Sequence, residues 1–165
     1  KLYLVAGVYS SDDETFSTPE HKELMMECNY RAPVRLYDAL MHRAHPPKCV
    51  VAISSIFALL PDPLNPAYAE AKTELAQFFI QVDGTADTCT KVVYLGPVNT
   101  SINKFAKRSK SLMAIEPGEV AQFLRHLPKK SGVTHIYPFS SSVIYQILRY
   151  LPESMYTAIM NKARR

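Results

Sequence analysis

Apolar positions along this chain follow two rhythms that take turns. Short β-branched or apolar runs predict buried strands over Lys1–Val8 (ending at Gly7), Lys48–Ser54, Thr90–Leu95 and Val133–Tyr137. Between them, apolar residues recur at helical spacing. A first helix opens at Thr18–Pro19, a capping residue followed by a first-turn proline, with Glu20 near the positive end of the helix dipole. Leu24, Met25, Cys28, Ala32, Leu36 and Leu40 carry it to just before His45, and Pro33 inside it predicts a kink or two segments. Further helices are predicted over Pro66–Val82, Glu116–Leu127, Ser141–Tyr150 and Pro152–Lys162. Tyr9–Ser17 reads as a polar, acidic loop. Val98–Ala114 is polar and basic, and its length predicts a lid or binding loop. Strand and helix therefore alternate throughout. That is the order of a three-layer α/β/α parallel sheet covered on both faces. Ligands in such sheets sit at the carboxyl ends of the strands.

The stretch from Ser54–Ser55 to Lys72 concentrates chemistry at such an end. Two serines close a strand, a loop with three prolines follows, and Tyr68 and Lys72 then fall four apart on the next helix. That spacing puts both side chains on one face. A cation beside a phenol favours the phenolate and lowers its pKa, and a strand-end hydroxyl can hold a substrate oxygen. The bland alternatives are a solvated Tyr/Lys pair and a serine turn. Asn29, one turn before Pro33, has two readings as well: a functional group at a kink whose freed carbonyl binds water, or a polar residue on the helix's exposed side.

Composition narrows the class. The chain has 165 residues, 47% of them hydrophobic, which is enough for one domain with a core. A net charge of +4 is spread out, apart from Lys104–Lys110 and the Lys162–Arg165 end, and points away from nucleic acid. Cys28, Cys49 and Cys89 are an odd, widely spaced set without a CxxC pair, which suggests a reducing compartment and neither a disulfide framework nor a metal site. No leader and no membrane-spanning run is read from the sequence, so the expectation is an intracellular, cytoplasmic protein.

Several motifs, in order, resemble one family. A serine, Ser55, stands thirteen residues before a Tyr-x-x-x-Lys pair, Tyr68-Ala-Glu-Ala-Lys72. Asn29 lies on the preceding helix, Leu4-Val5-Ala6-Gly7 ends the first strand, and Leu95-Gly96-Pro97-Val98-Asn99-Thr100 follows the third; Ile115–Ala121 is similar to the family's late helix start. Together they make the chain resemble the C-terminal two-thirds of a short-chain dehydrogenase/reductase, with a Rossmann-like sheet. The resemblance implies an oxidoreductase that uses NADP or NAD to interconvert an alcohol and a carbonyl. It implies Asn29, Ser55, Tyr68 and Lys72 as catalytic residues. It implies cofactor contacts at Ala6, Gly7, Tyr68, Lys72, Gly96, Pro97, Val98 and Thr100. Ser55 and Tyr68 would hold the carbonyl oxygen, Tyr68 would move its proton, and Asn29 would hold a water in a relay to Lys72.

Three departures accompany it. The family's Gly-x-x-x-Gly-x-Gly fingerprint is missing, so the chain reads as N-terminally incomplete, beginning at the family's fourth strand. Its first strand would then present an edge that a further segment or a second copy covers. Leu4–Val5 replaces a pair of asparagines, and Gly96–Pro97 inverts a Pro–Gly. The substrate expectation is a lipophilic small molecule, with the Val98–Ala114 loop closing over it and Met113, Tyr145, Tyr150 and Tyr156 lining a pocket. The apolar-aromatic and then basic tail, Tyr145–Arg165, reads either as a peripheral membrane contact or as a packed helix or subunit contact. The alternative function is a catalytically inactive scaffold or subunit of a larger assembly.

Overall fold

The computed structural model describes residues 1–5, 7–9, 18–60, 62, 65–85, 88–100 and 114–162. Ala6, most of the Tyr9–Ser17 loop, Lys104–Lys110, Met113 and the last three residues lie outside them. The elements run β1 (Leu2–Leu4), α1 (Pro19–Met26), a π-turn (Glu27–Arg31), α2 (Ala32–Met41), β2 (Cys49–Ser55), α3 (Pro66–Gln81), β3 (Cys89–Leu95), α4 (Pro117–His126), β4 (Thr134–Tyr137), α5 (Phe139–Leu148) and α6 (Glu153–Lys162). The four strands are parallel and lie side by side in chain order. β2 is buried along its whole length, as its unbroken apolar run requires.

Helix starts follow local rules. Thr18 Oγ1 accepts from the His21 N–H at 3.2 Å, and Asn65 Oδ1 accepts from the Tyr68 N–H at 3.0 Å. Glu116 and Glu119 form a reciprocal capping box. In each case a proline opens the helix, where its missing N–H costs nothing. Pro33 falls in the first turn of the second of two α segments, one of the two outcomes expected at this proline. The preceding turn widens to a π-turn, with the Ala32 N–H reaching back to Glu27 O. A wide turn there relieves the clash between the proline ring and the carbonyl of Asn29, four residues earlier.

Two apolar layers flank the sheet. On one face Tyr37 of α2 and Leu75, Ala76 and Phe79 of α3 pack on Val50, Ala52, Val92 and Tyr94. On the other, Val120 and Leu124 of α4, with Leu127, pack on Val51, Ile53 and Val93. Strand order advances in one direction while the helices change face. The β3–α4–β4 crossover therefore has the opposite hand to the two before it, against the strong general preference for one hand.

One expectation needs correction. The first strand ends at Leu4 instead of running to Val8, and Asn29 takes both main-chain polar groups of Val8 away from the ladder. The last helices leave apolar side chains at the surface: Phe139, Ile147 and Tyr150 are 79%, 60% and 76% exposed. α5 turns Ser141 inward, and α6 turns Tyr156 inward. Among the described residues no helix is long and apolar enough to cross a membrane.

Phe79→Ala, in a fully buried position, should cost about 3–5 kcal/mol of stability in a urea titration. Gly118→Ala, in the first turn of α4 with open space around it, should instead add roughly 0.5–1 kcal/mol.

Candidate functional site

The carboxyl end of β2 is tied to α3 by two buried bonds. Ser54 Oγ donates to Lys72 O at 2.8 Å, and Lys72 Nζ donates back to Ile53 O at 3.1 Å. Both arise from the helix that Asn65 and Pro66 start. Lys72 is 3% exposed, far from the solvated pair that its spacing alone allows. Its Nζ lies 5.9 Å from the centroid of the Tyr68 ring, within range of a cation–π contact. Among the described residues no ion pair involves it. Burial of the ammonium lowers its pKa from 10.5 to about 8.

Asn29 is fully buried, which overturns the reading of an exposed polar residue. Its Oδ1 accepts from the Val8 N–H at 3.1 Å and its Nδ2 donates to Val8 O at 2.9 Å. This pair of bonds lays Gly7–Tyr9 across the end of β2. A Cβ on Gly7 would lie 3.0 Å from Asn29 Oδ1 and 3.3 Å from Lys72 Nζ. A side chain at position 7 would thus press on both groups, and glycine lets the backbone approach them. Gly7, Asn29 and the Tyr68–Lys72 pair come together from three separate parts of the chain.

Ser55, 8% exposed, closes β2 and accepts a hydrogen bond from the Phe57 N–H at 3.3 Å, the geometry of a serine turn. Register pairs Ser55 with Leu95, so Gly96 leaves the same edge of the sheet. Gly96 N donates to Tyr137 O at 2.8 Å, and Pro97 O accepts from Ile115 N at 3.1 Å. Val98 bridges Ile115 in parallel, and Thr100 is exposed. A Cβ at Gly96 would lie 2.0 Å from Ser141 Oγ, 3.0 Å from Ser141 Cβ and 3.2 Å from Pro138 Cδ. Glycine at this position answers to the close approach of α5.

Sequence reasoning missed a second ring of residues. Tyr9 packs edge-on to Tyr68, with ring centroids 5.0 Å apart, and its hydroxyl donates to Asp62 Oδ2 at 3.3 Å. Asp62 is 1% exposed. Burial, and then the Asp62 charge, push the Tyr156 hydroxyl up to about 12. The one available signal was an aspartate flanked by prolines, Pro61-Asp62-Pro63, just after the strand-end serines. Tyr156 is held in this buried setting, Tyr145 is half-buried and Tyr150 is exposed. An open concavity at Glu119, Phe123, His126 and Tyr137 lies on the α4 side of the sheet, opposite α3. Among the described residues no cluster of His, Cys, Asp or Glu could hold a metal ion.

No protein-family model matches this sequence, and no curated protein does. Solved structures do match its fold. A short chain dehydrogenase from Burkholderia cenocepacia in complex with NADP superposes with a TM-score of 0.74 at 15% identity, over 95% of this chain and 67% of that one. A short-chain dehydrogenase from Sphingobium yanoikuyae in complex with NADPH gives 0.67 at 16%, over 99% and 65%. 4-Hydroxyisoleucine dehydrogenase complexed with NADH and succinate gives 0.65 at 16%, over 82% and 64%. The chain therefore spans somewhat less than two thirds of the length of that last protein. At these identities the likeness establishes the architecture, a Rossmann-like α/β/α fold.

Two measurements test the site as built. Between pH about 8 and 10.5 the unfolded chain holds the Lys72 proton and the folded chain does not, so this group makes stability rise with pH across that window. Relative to Lys72→Met, the wild type should gain on the order of 3 kcal/mol in urea titrations from the low to the high end of that window. Gly96→Ala should cost about 1–3 kcal/mol through overpacking, and a second change, Ser141→Gly, should return much of it.

Proposed function

We propose that this chain carries the proton-handling centre of a short-chain dehydrogenase/reductase. That is an NAD(P)-dependent oxidoreductase interconverting an alcohol and a carbonyl on a small lipophilic molecule. One observation carries the reading: the buried ammonium of Lys72 sits between Gly7, Asn29 and the ring of Tyr68 at the carboxyl end of a parallel sheet. Burying a lone ammonium is costly, and packing alone would be better served by an aliphatic side chain. A cation is useful there because it favours the phenolate of its neighbour.

In this reading Tyr68 passes its proton to the substrate oxygen as the carbonyl is reduced, and its phenolate takes the proton back in the oxidative direction. The hydroxyl of Ser55 holds the same oxygen as charge grows on it. While it remains charged, Lys72 favours the phenolate of Tyr68, and its own lowered pKa sets an upper pH limit on that help. The side chain of Asn29 is spent on Val8, so its part is to seat Gly7 and Tyr9 beside Lys72 and Tyr68. Tyr9 then steadies the Tyr68 ring from its edge.

The donor set suits one end of a nicotinamide dinucleotide. Lys72 Nζ has three protons and gives one to Ile53 O, which leaves donors for ribose hydroxyls. Gly7, Gly96, Pro97, Val98 and Thr100 line the same sheet edge, and Ala6 belongs to the same proposal. When bound, the cofactor supplies the hydride. No glycine-rich phosphate turn occurs in these residues, so the fit covers the nicotinamide end alone. A second reading, an inactive scaffold, draws on Leu4–Val5, which stand where the resembled family carries two asparagines.

Fluorescence titration with NADPH and with NADH separates the two. For an enzyme, one dinucleotide binds saturably, and Tyr68→Phe retains that binding while turnover of a lipophilic ketone panel falls by about 10²–10⁴-fold. Absence of saturable binding by either dinucleotide favours the scaffold.

A further inference from the structure

The fold joins two cysteines that lie far apart in sequence. Cys49 and Cys89 open β2 and β3 and are register partners on these adjacent parallel strands. Both point to the α4 face, in step with Val51, Ile53 and Val93. Neighbouring strands lie about 4.7–4.9 Å apart, inside the roughly 4.4–6.8 Å window of Cα separations that a disulfide spans. Cys89 N donates to Lys48 O at 3.2 Å, so the ladder holds the pair in step up to its first residues. The two thiols differ in access: Cys49 is buried and Cys89 exposed. Burial, and then the neighbouring Cys89, raise the Cys49 pKa, which keeps it a thiol near neutrality. Lys91, two residues beyond Cys89 on the same face, places a cation nearby and is itself anchored to Gly132 O at 2.5 Å.

We propose that Cys49 and Cys89 are an oxidation-sensitive dithiol that a hydroperoxide closes into a disulfide across the amino ends of β2 and β3. Cys89 is the first to react. It gives up its proton, its sulfur takes the terminal OH of the hydroperoxide, and the O–O bond breaks; the departing alkoxide takes up the proton and leaves as the alcohol, or as water from hydrogen peroxide. Cys89 is then a sulfenic acid. Cys49 sulfur attacks Cys89 sulfur, the S–S bond forms, the S–O bond breaks, and the hydroxyl leaves as water with the Cys49 proton. Two electrons pass from the pair to the hydroperoxide, and a dithiol reductant reverses the step. The pair lies at the opposite end of the strands from Ser55 and Gly96, so the bond clasps the sheet without reaching the candidate site.

The test treats the full chain with hydrogen peroxide, alkylates the remaining thiols and weighs the intact protein. The expected product carries a single alkyl group, on Cys28, and has lost two hydrogens. Peptide mapping joins the segments holding Cys49 and Cys89, and dithiothreitol restores three alkylatable thiols. Cys28→Ser should form the same bond. Cys49→Ser should instead leave a sulfenic acid at Cys89 that dimedone traps. Three alkylated thiols after peroxide, a bond that includes Cys28, or a link between two copies through Cys89 would each overturn the proposal.

Discussion

A charged ammonium buried at the end of a β-strand sets the terms for everything around it. Lys72 gives up most of its hydration, and the fold must return something for that loss. It does so with the Ile53 carbonyl, the face of Tyr68 and a backbone, Gly7, that comes close because it has no side chain. The return is incomplete, as the lowered pKa shows. On the reading proposed above, a residue held at that cost is useful for what its charge does to Tyr68. The same helix turn offers Lys72 O to Ser54, so the strand end and the helix cannot shift independently.

The remaining parts serve to hold this arrangement. Asn29 reaches it through a π-turn that exists because Pro33 follows, and its amide grips Val8 by both main-chain groups. Tyr9 then braces Tyr68, and Asp62 braces Tyr9. On the other side of β2, Gly96 permits α5 to close against the end of β3. Helices on both faces follow from the third crossover's opposite hand, which gives α4 its own apolar layer and buries β2 from both sides.

Much of this was legible in the chain. Alternating periodicity gave the order of elements and placed the starts of α3 and α4 to within a residue, and a capping threonine followed by proline marked the start of α1. Ser55, Tyr68 and Lys72 stood out because i,i+4 spacing and a strand-end serine are local features. Asn29 was harder: local patterning says nothing about which face of an interrupted helix turns inward, and only the packing of α1 and the π-turn against α3 settles its burial. Tyr9 and Asp62 were not readable as partners, since a loop's sequence does not reveal what its ends fold against. For the apolar positions of α5, periodicity reports a stripe and not whether something covers it, and the fold leaves Val143 and Ile147, with Tyr150 just beyond the helix, exposed.

What the sequence determined by itself is therefore the part governed by short-range rules: the succession of parallel strands and helices, where helices begin, and which side chains share a helix face. Tertiary structure decided what depends on contacts between distant segments. It buried Lys72 and so moved its pKa, turned Asn29 inward onto Val8, brought Tyr9 to Tyr68, and set Cys49 beside Cys89. Each of these is a matter of desolvation or of register across strands, and neither quantity exists until separate stretches of chain exclude water between them.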